Sequence, residues 1–125
     1  MLNNRTIDQI GAEERVSRLF SRSIKKDSKV QALKMILSMI DLTTLEGKDS
    51  PGKVKQLCYK AIHLHDKHPG LPAVAAICVY PNMVPVAKVA LAGTNIKVAS
   101  VATAFPSGMT TLSAKLKEVR SVVDA

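Results

Sequence analysis

Aromatic residues are nearly missing from this chain, which has no tryptophan, two tyrosines and two phenylalanines among 125 residues. A surface that holds single-stranded nucleic acid by stacking bases on side-chain rings needs more than this. Acidic residues are also short, 10 against 18 lysines and arginines, and the net charge of +8 draws anions. Nucleic acid, an anionic membrane surface and phosphorylated metabolites are the candidates. The basic residues are spread along the chain with one cluster at Lys25, Lys26 and Lys29, so a solvated basic surface is the simpler account and nucleic acid is not expected as a partner. Two cysteines are too few for a disulfide framework, and Cys58 on a helix face and Cys78 in a strand are expected to be free thiols. The longest apolar run, Val74 to Tyr80, falls far short of the ~20 residues of a membrane helix, so no membrane span is expected. The amino end lacks an apolar signal core and carries Asp8, Glu13 and Glu14 among its arginines, which speaks for a cytoplasmic location.

What is present is an alternation. Three short apolar segments, Met39 to Thr43, Val74 to Tyr80 and Ile96 to Thr103, read as strands, and helical periodicity lies before, between and after them. The pattern predicts an α/β fold with a parallel sheet. Ile10, Val16, Leu19 and Phe20 give a first helix from Asp8 to about residue 23 a partly apolar face. A second helix, capped by Asp27 or Ser28, carries Val30, Leu33, Met35, Ile36 and Leu37 and is expected to pack on other structure, covering an end or flank of the sheet. Ser50 followed by Pro51 marks the next helix start, with Val54, Leu57, Cys58 and Ala61 as its buried face. His63 to Leu71 is polar, contains Pro69-Gly70 and reads as a loop. The second strand is almost wholly apolar, as expected of a strand covered on both faces. Pro81 and Asn82 open a helix that stops at Gly93, and a last helix runs from about Thr110 to Val123.

Parallel sheets carry functional groups at the carboxyl ends of their strands, which directs attention to Asp41, Thr43, Cys78, Tyr80 and Thr103. Asp41 lies between Ile40 and Leu42, so its carboxylate must be paired or lose solvation, and Thr43 points to the same face two residues on. Structural pairing explains Asp41 as well as catalysis does. Cys78 in a buried strand is more often a small hydrophobe than a nucleophile. His63, His65 and His68 match no structural zinc spacing, so no metal is expected. Phe105-Pro-Ser-Gly108 before a helix could offer backbone N–H groups to an anion, on the evidence of one glycine.

Ile40-Asp-Leu-Thr-Thr-Leu45, Ala75-Ala-Ile-Cys-Val-Tyr-Pro81 and Val98-Ala-Ser-Val-Ala-Thr-Ala-Phe-Pro-Ser-Gly108 resemble, in that order, the first three strands of the deoxyribose-phosphate aldolase family. The likeness covers about residues 33 to 125 and is nearest to the longer forms of the family. It implies a partial TIM (β/α)8 barrel, with residues 39–125 as three parallel β/α units of an incomplete domain and residues 1–38 as an N-terminal helical extension. It also implies a class I aldolase without cofactor, a lyase of deoxyribonucleotide catabolism. Such an enzyme cleaves the small phosphorylated sugar 2-deoxy-D-ribose 5-phosphate reversibly to D-glyceraldehyde 3-phosphate and acetaldehyde through a lysine Schiff base. By position, Asp41 corresponds to the aspartate of the active-site hydrogen-bond network, Thr43 to its neighbour near the substrate, and Cys78 to a substrate-side cysteine that is not the nucleophile.

The resemblance places the Schiff-base lysine and its companion on later strands, and the lysines of this chain agree. A Schiff-base lysine must sit desolvated in the barrel mouth to be unprotonated near neutral pH. Of thirteen lysines only Lys97 falls in a predicted strand, at its amino end, where barrel residues serve stability. The chain alone is therefore expected to be inactive. Three strands also leave two open edges and no opposite wall, so the piece is expected to self-associate, to be completed by the missing C-terminal half of a barrel, or to be marginal in stability. The alternative to the aldolase is a basic binding module for phosphorylated ligands or nucleic acid, whose binding would weaken steeply with salt.

Overall fold

The computed structural model describes residues 6–125. Two compact units divide at residues 32 and 33. In the first, α1 (Gln9–Phe20) starts where the Asp8 side chain accepts from the N–H of Gly11 at 3.0 Å, and it ends at Phe20, short of residue 23. None of its residues is buried. The helix α2 (Lys26–Leu37) spans the boundary between the units. Asp27 and Ser28, expected as caps, instead lie inside its first turn, because the N–H of Lys29 already reaches the carbonyl of Lys25 at 3.4 Å. Asp27 there faces the positive end of the helix dipole. The broad apolar stripe expected of α2 is largely exposed at Val30, Leu33, Met35 and Ile36, and only Leu37 packs against the core.

The second unit is built on three parallel strands, β1 (Asp41–Thr43), β2 (Ala76–Val79) and β3 (Lys97–Ser100), in the order β1-β2-β3. The register aligns Asp41 with Ala76 and Lys97, Leu42 with Ile77 and Val98, and Thr43 with Cys78 and Ala99. All three strands are shorter than the apolar runs suggested, for separate reasons. Met39 is still bonded to the end of α2 through the carbonyl of Ile36 at 3.0 Å. Pro81 opens a 3-10 turn after β2. Past β3, Val101 makes one more ladder bond, to Val79, before Thr103 and Ala104 turn the chain with φ of 62° and 60°. Thr103 therefore belongs to a left-handed turn and not to a strand end.

The core lies on one side of the sheet. Ile77 and Val79 of β2 point into it, opposite Val54, Cys58 and Ala61 of α3 (Pro51–His63) and Val84 and Ala87 of α4 (Val84–Ala90). The spacing of 54, 58 and 61 puts those three side chains on one helical stripe, and Leu57, grouped with them in the sequence, is half-buried. Ser50 caps α3 by accepting from the N–H of Lys53 at 3.3 Å, with Pro51 at the first helical position as the sequence signals. Thr111 caps the last helix, α5 (Leu112–Asp124), in the same way through Ala114.

The other side of the sheet is open. Burial along β2 alternates, with Ile77 and Val79 buried while Ala76 and Cys78 stay half-exposed. The expectation that this strand is covered on both faces fails, because the helices that pack on it lie on one side alone. The result is a sheet of three parallel β/α units, a partial (β/α)8 barrel in architecture, with the face that a closed barrel turns inward left bare.

Candidate functional site

The bare face collects the residues of chemical interest. Alternation along each strand sends Asp41 and Thr43, Ala76 and Cys78, and Lys97 and Ala99 to the same side, and the register sets Thr43 beside Cys78 on adjacent strands. Asp41 opens its strand one step before them. Its carboxylate accepts a hydrogen bond from the Thr43 hydroxyl, the pairing that its apolar neighbours called for. Both residues are exposed, so the loss of solvation considered for Asp41 does not occur here. Leu42, its neighbour in the strand, packs against the core on the opposite face and leaves Asp41 in water.

Beyond β1 the chain enters a polar knot that sequence patterns did not single out. The Asp49 carboxylate, 5% exposed at its side chain, accepts from Lys53 Nζ at 2.8 Å, from the Thr44 hydroxyl at 2.7 Å and from the N–H of Glu46 at 3.0 Å. Lys53 also donates to Glu46 at 2.5 Å. The Lys53 hydrogen bond and the Glu46 N–H hold the Asp49 carboxyl down at about 2 from its ordinary 3.8, against the opposing effect of burial. Glu46 is lowered chiefly by the Lys53 hydrogen bond, and Lys53 is raised by Asp49 first and Glu46 second. Thr44 in turn donates its N–H to the carbonyl of Cys78 at 3.1 Å, so the knot fixes the end of β1 beside β2. The only sequence trace of this arrangement was the i, i+4 spacing of Asp49 and Lys53.

The knot makes stability depend on acid in a defined direction. A carboxyl whose folded pKa lies below its unfolded value stabilises the fold fully above about 4 and loses that contribution as pH falls through about 2. In urea unfolding followed by circular dichroism, Asp49→Asn is expected to be less stable than the parent at pH 7. The gap should close between pH 4 and pH 2. A gap that stays constant across that range would show that the Asp49 charge is not the stabilising feature.

At the carboxyl ends of the strands, Glu46, Asp49, Tyr80, Pro81, Asn82 and Glu118 line a small cavity of ≈ 350 Å³. Tyr80 precedes the 3-10 turn there, and its carbonyl accepts from the N–H of Met83 at 2.9 Å. Glu118 of α5 accepts from the N–H of Ala104 at 2.8 Å and so holds the turn after β3. Beside the Phe105-Pro-Ser-Gly108 segment, whose backbone the sequence offers to an anion, the N–H of Ala104 already has a carboxylate. Among the histidines, His63 pairs through Nδ1 with Asp66 at 2.7 Å and packs its ring on Tyr59. Among the described residues no group of three His, Cys, Asp or Glu side chains converges as a metal site. Cys58 is fully buried and burial pushes its thiol up, whereas Cys78 is half-exposed on the bare face. Lys97 is on that face as well, in the row of Asp41 at the amino end of the ladder.

No family model matches the sequence. Individual relatives do. Human deoxyribose-phosphate aldolase is 42% identical over a 116-residue alignment that takes in 82% of this chain. The chain belongs to the deoxyribose-phosphate aldolase family. The mouse enzyme of that name is 43% identical over the same share of the chain. A crystal structure of a candidate deoxyribose-phosphate aldolase from Coccidioides immitis superposes on 73% of the chain with a TM-score of 0.62 and 25% identity, covering 32% of that structure. The chain thus spans about a third of the length of the curated aldolases it matches, 36% of the human and mouse proteins. Among the described residues no helix is long and apolar enough to cross a membrane.

Proposed function

We propose that this chain supplies the first three β/α units of a deoxyribose-phosphate aldolase barrel, and with them one side of its substrate site. The complete enzyme cleaves 2-deoxy-D-ribose 5-phosphate to D-glyceraldehyde 3-phosphate and acetaldehyde in the cytoplasm, through a Schiff base on a lysine from strands outside this chain. The observation that carries this reading is the 42% identity to the human aldolase, which extends across 82% of the chain. The bare face supports it, because Asp41, Thr43 and Cys78 gather on the side that a closed barrel turns toward its centre. Asp41 takes its place in the hydrogen-bond network that handles protons at the reacting carbons, while Thr43 and Cys78 line the substrate.

The lysines limit what the chain does by itself. Lys97 is the one lysine in a strand, and it stands in the amino-end row, exposed to solvent. A nucleophilic amine must be desolvated to lose its proton near neutral pH. Incubation of the purified chain with acetaldehyde and borohydride is therefore expected to leave its mass unchanged. Mixing it with a polypeptide that supplies the remaining strands should restore retro-aldol activity, with the trapped adduct on that second polypeptide. An adduct on the chain itself would overturn the division of labour, and a mixture that forms a stable complex without activity would overturn the aldolase role.

A further inference from the structure

Two threonines follow one another at the carboxyl end of β1 and point to opposite faces of the sheet. Thr43 turns its hydroxyl to the open face and donates to Asp41, whereas Thr44 turns the other way and is the one buried polar residue among those described. A hydroxyl out of reach of water must be bonded. That of Thr44 donates to Asp49 at 2.7 Å, and the Thr44 N–H donates to the carbonyl of Cys78 at 3.1 Å. The residue is thus tied to the loop before α3 by its side chain and to β2 by its backbone. Asp49 is itself anchored, by Lys53 in the first turn of α3 at 2.8 Å and by the N–H of Glu46 at 3.0 Å. These bonds form a continuous path from the helix to the strand end.

We propose that Thr44 and Asp49 are positioning residues of the aldolase site: the Asp49 carboxylate, fixed on α3, holds through the Thr44 hydroxyl the strand end on which Thr43 orients Asp41 beside Cys78. The proposal rests on the aldolase reading and extends it to side chains that face away from the substrate. Small displacements of a reacting group cost rate, and a strand of three residues has few ladder bonds with which to hold its own end. The link through Thr44 supplies what the ladder lacks. Thr44→Val is the discriminating change, because valine keeps the shape of threonine and lacks the donor. Asp49 retains Lys53 and the Glu46 N–H in that variant, so its charge stays paired.

In the barrel completed by the remaining strands, Thr44→Val is expected to lower kcat for 2-deoxyribose 5-phosphate about tenfold with KM within about twofold of the parent. Thr44→Ser, which keeps the donor, should recover most of the rate, and Asp49→Ala should slow turnover at least as much as Thr44→Val. In an Asp41→Ala background Thr44→Val should cost little more, because both changes act at the same carboxylate. Leu91→Ala, a buried substitution just past the far end of α4, measures what lost core packing does alone, and its kcat should match the parent's. On the chain itself, hydrogen exchange followed by NMR should show the amide at position 44 about tenfold less protected in Thr44→Val and unchanged in Thr44→Ser, with the Ile77 amide unaffected in both. Parent kinetics in Thr44→Val, equal slowing by Thr44→Ser or by Leu91→Ala, or a full further loss on top of Asp41→Ala would each overturn the proposal. A completed parent barrel that does not cleave the sugar phosphate sinks the aldolase reading, whereas unchanged exchange at position 44 sinks the proposal whether or not that reading stands. Should Asp49→Ala not fold, Thr44→Val and Thr44→Ser remain the deciding pair.

Discussion

Replacing Ile77 by alanine is expected to lower the free energy of unfolding by about 2–5 kcal/mol, the cost of removing a large aliphatic side chain from a packed core. Ile77 is fully buried at the centre of the middle strand, in register with Leu42 on one side and Val98 on the other. The core behind the sheet is made of small and medium residues, among them Ala61, Ala87, Val54 and Cys58, which offer little that could swing into the vacated space. A loss of this size is a large part of the ~5–15 kcal/mol typical of a folded domain. Urea unfolding monitored by circular dichroism measures it, with Val89→Ala on the exposed side of α4 as the control expected to stay within about 0.5 kcal/mol. Equal effects at the two positions would mean that the core is not where the burial pattern puts it.

Asp41→Ala, introduced into the barrel completed by the remaining strands, is expected to reduce kcat for 2-deoxyribose 5-phosphate cleavage about a hundredfold or more, the scale of losing a positioned proton-transfer group. KM should change much less on the proposed role, in which the carboxylate assists the reacting carbons and does not hold the phosphate. Circular dichroism of the variant barrel separates such a loss from a folding defect. Steady-state assay of the retro-aldol reaction decides it. An unchanged kcat would remove Asp41 from the mechanism, and a change confined to KM would make it a binding residue only.

The helices were legible in the sequence where a local signal exists. Ser50 with Pro51 marked the start of α3, the spacing of Val54, Cys58 and Ala61 identified its buried stripe, and each is realised as local geometry. Strand ends were legible only approximately, since hydrophobicity continues past the last ladder bond, as at Tyr80 and at Val101 to Thr103. The candidate site was legible in part. Asp41, Thr43 and Cys78 stood out by residue type and by motif, but the Asp49 knot joins side chains from a loop and the first turn of a helix with no repeating pattern to reveal it. The contact of Glu118 with Ala104, fourteen residues away, left no sequence signal.

By itself the sequence determined the alternation of strands and helices, the helix starts and the stripes of apolar residues, because these follow from interactions within a few residues of one another. Only the tertiary structure decided that Asp41 pairs in register with Ala76 and Lys97, that Thr43 lies beside Cys78, and that this face stands open while Ile77 and Val79 are enclosed. Register between strands 35 residues apart is set by backbone hydrogen bonds and helix packing summed over the whole sheet. A shift of one residue in β2 would have put Cys78 in the core and Ile77 on the open face, and no local preference in the sequence forbids it.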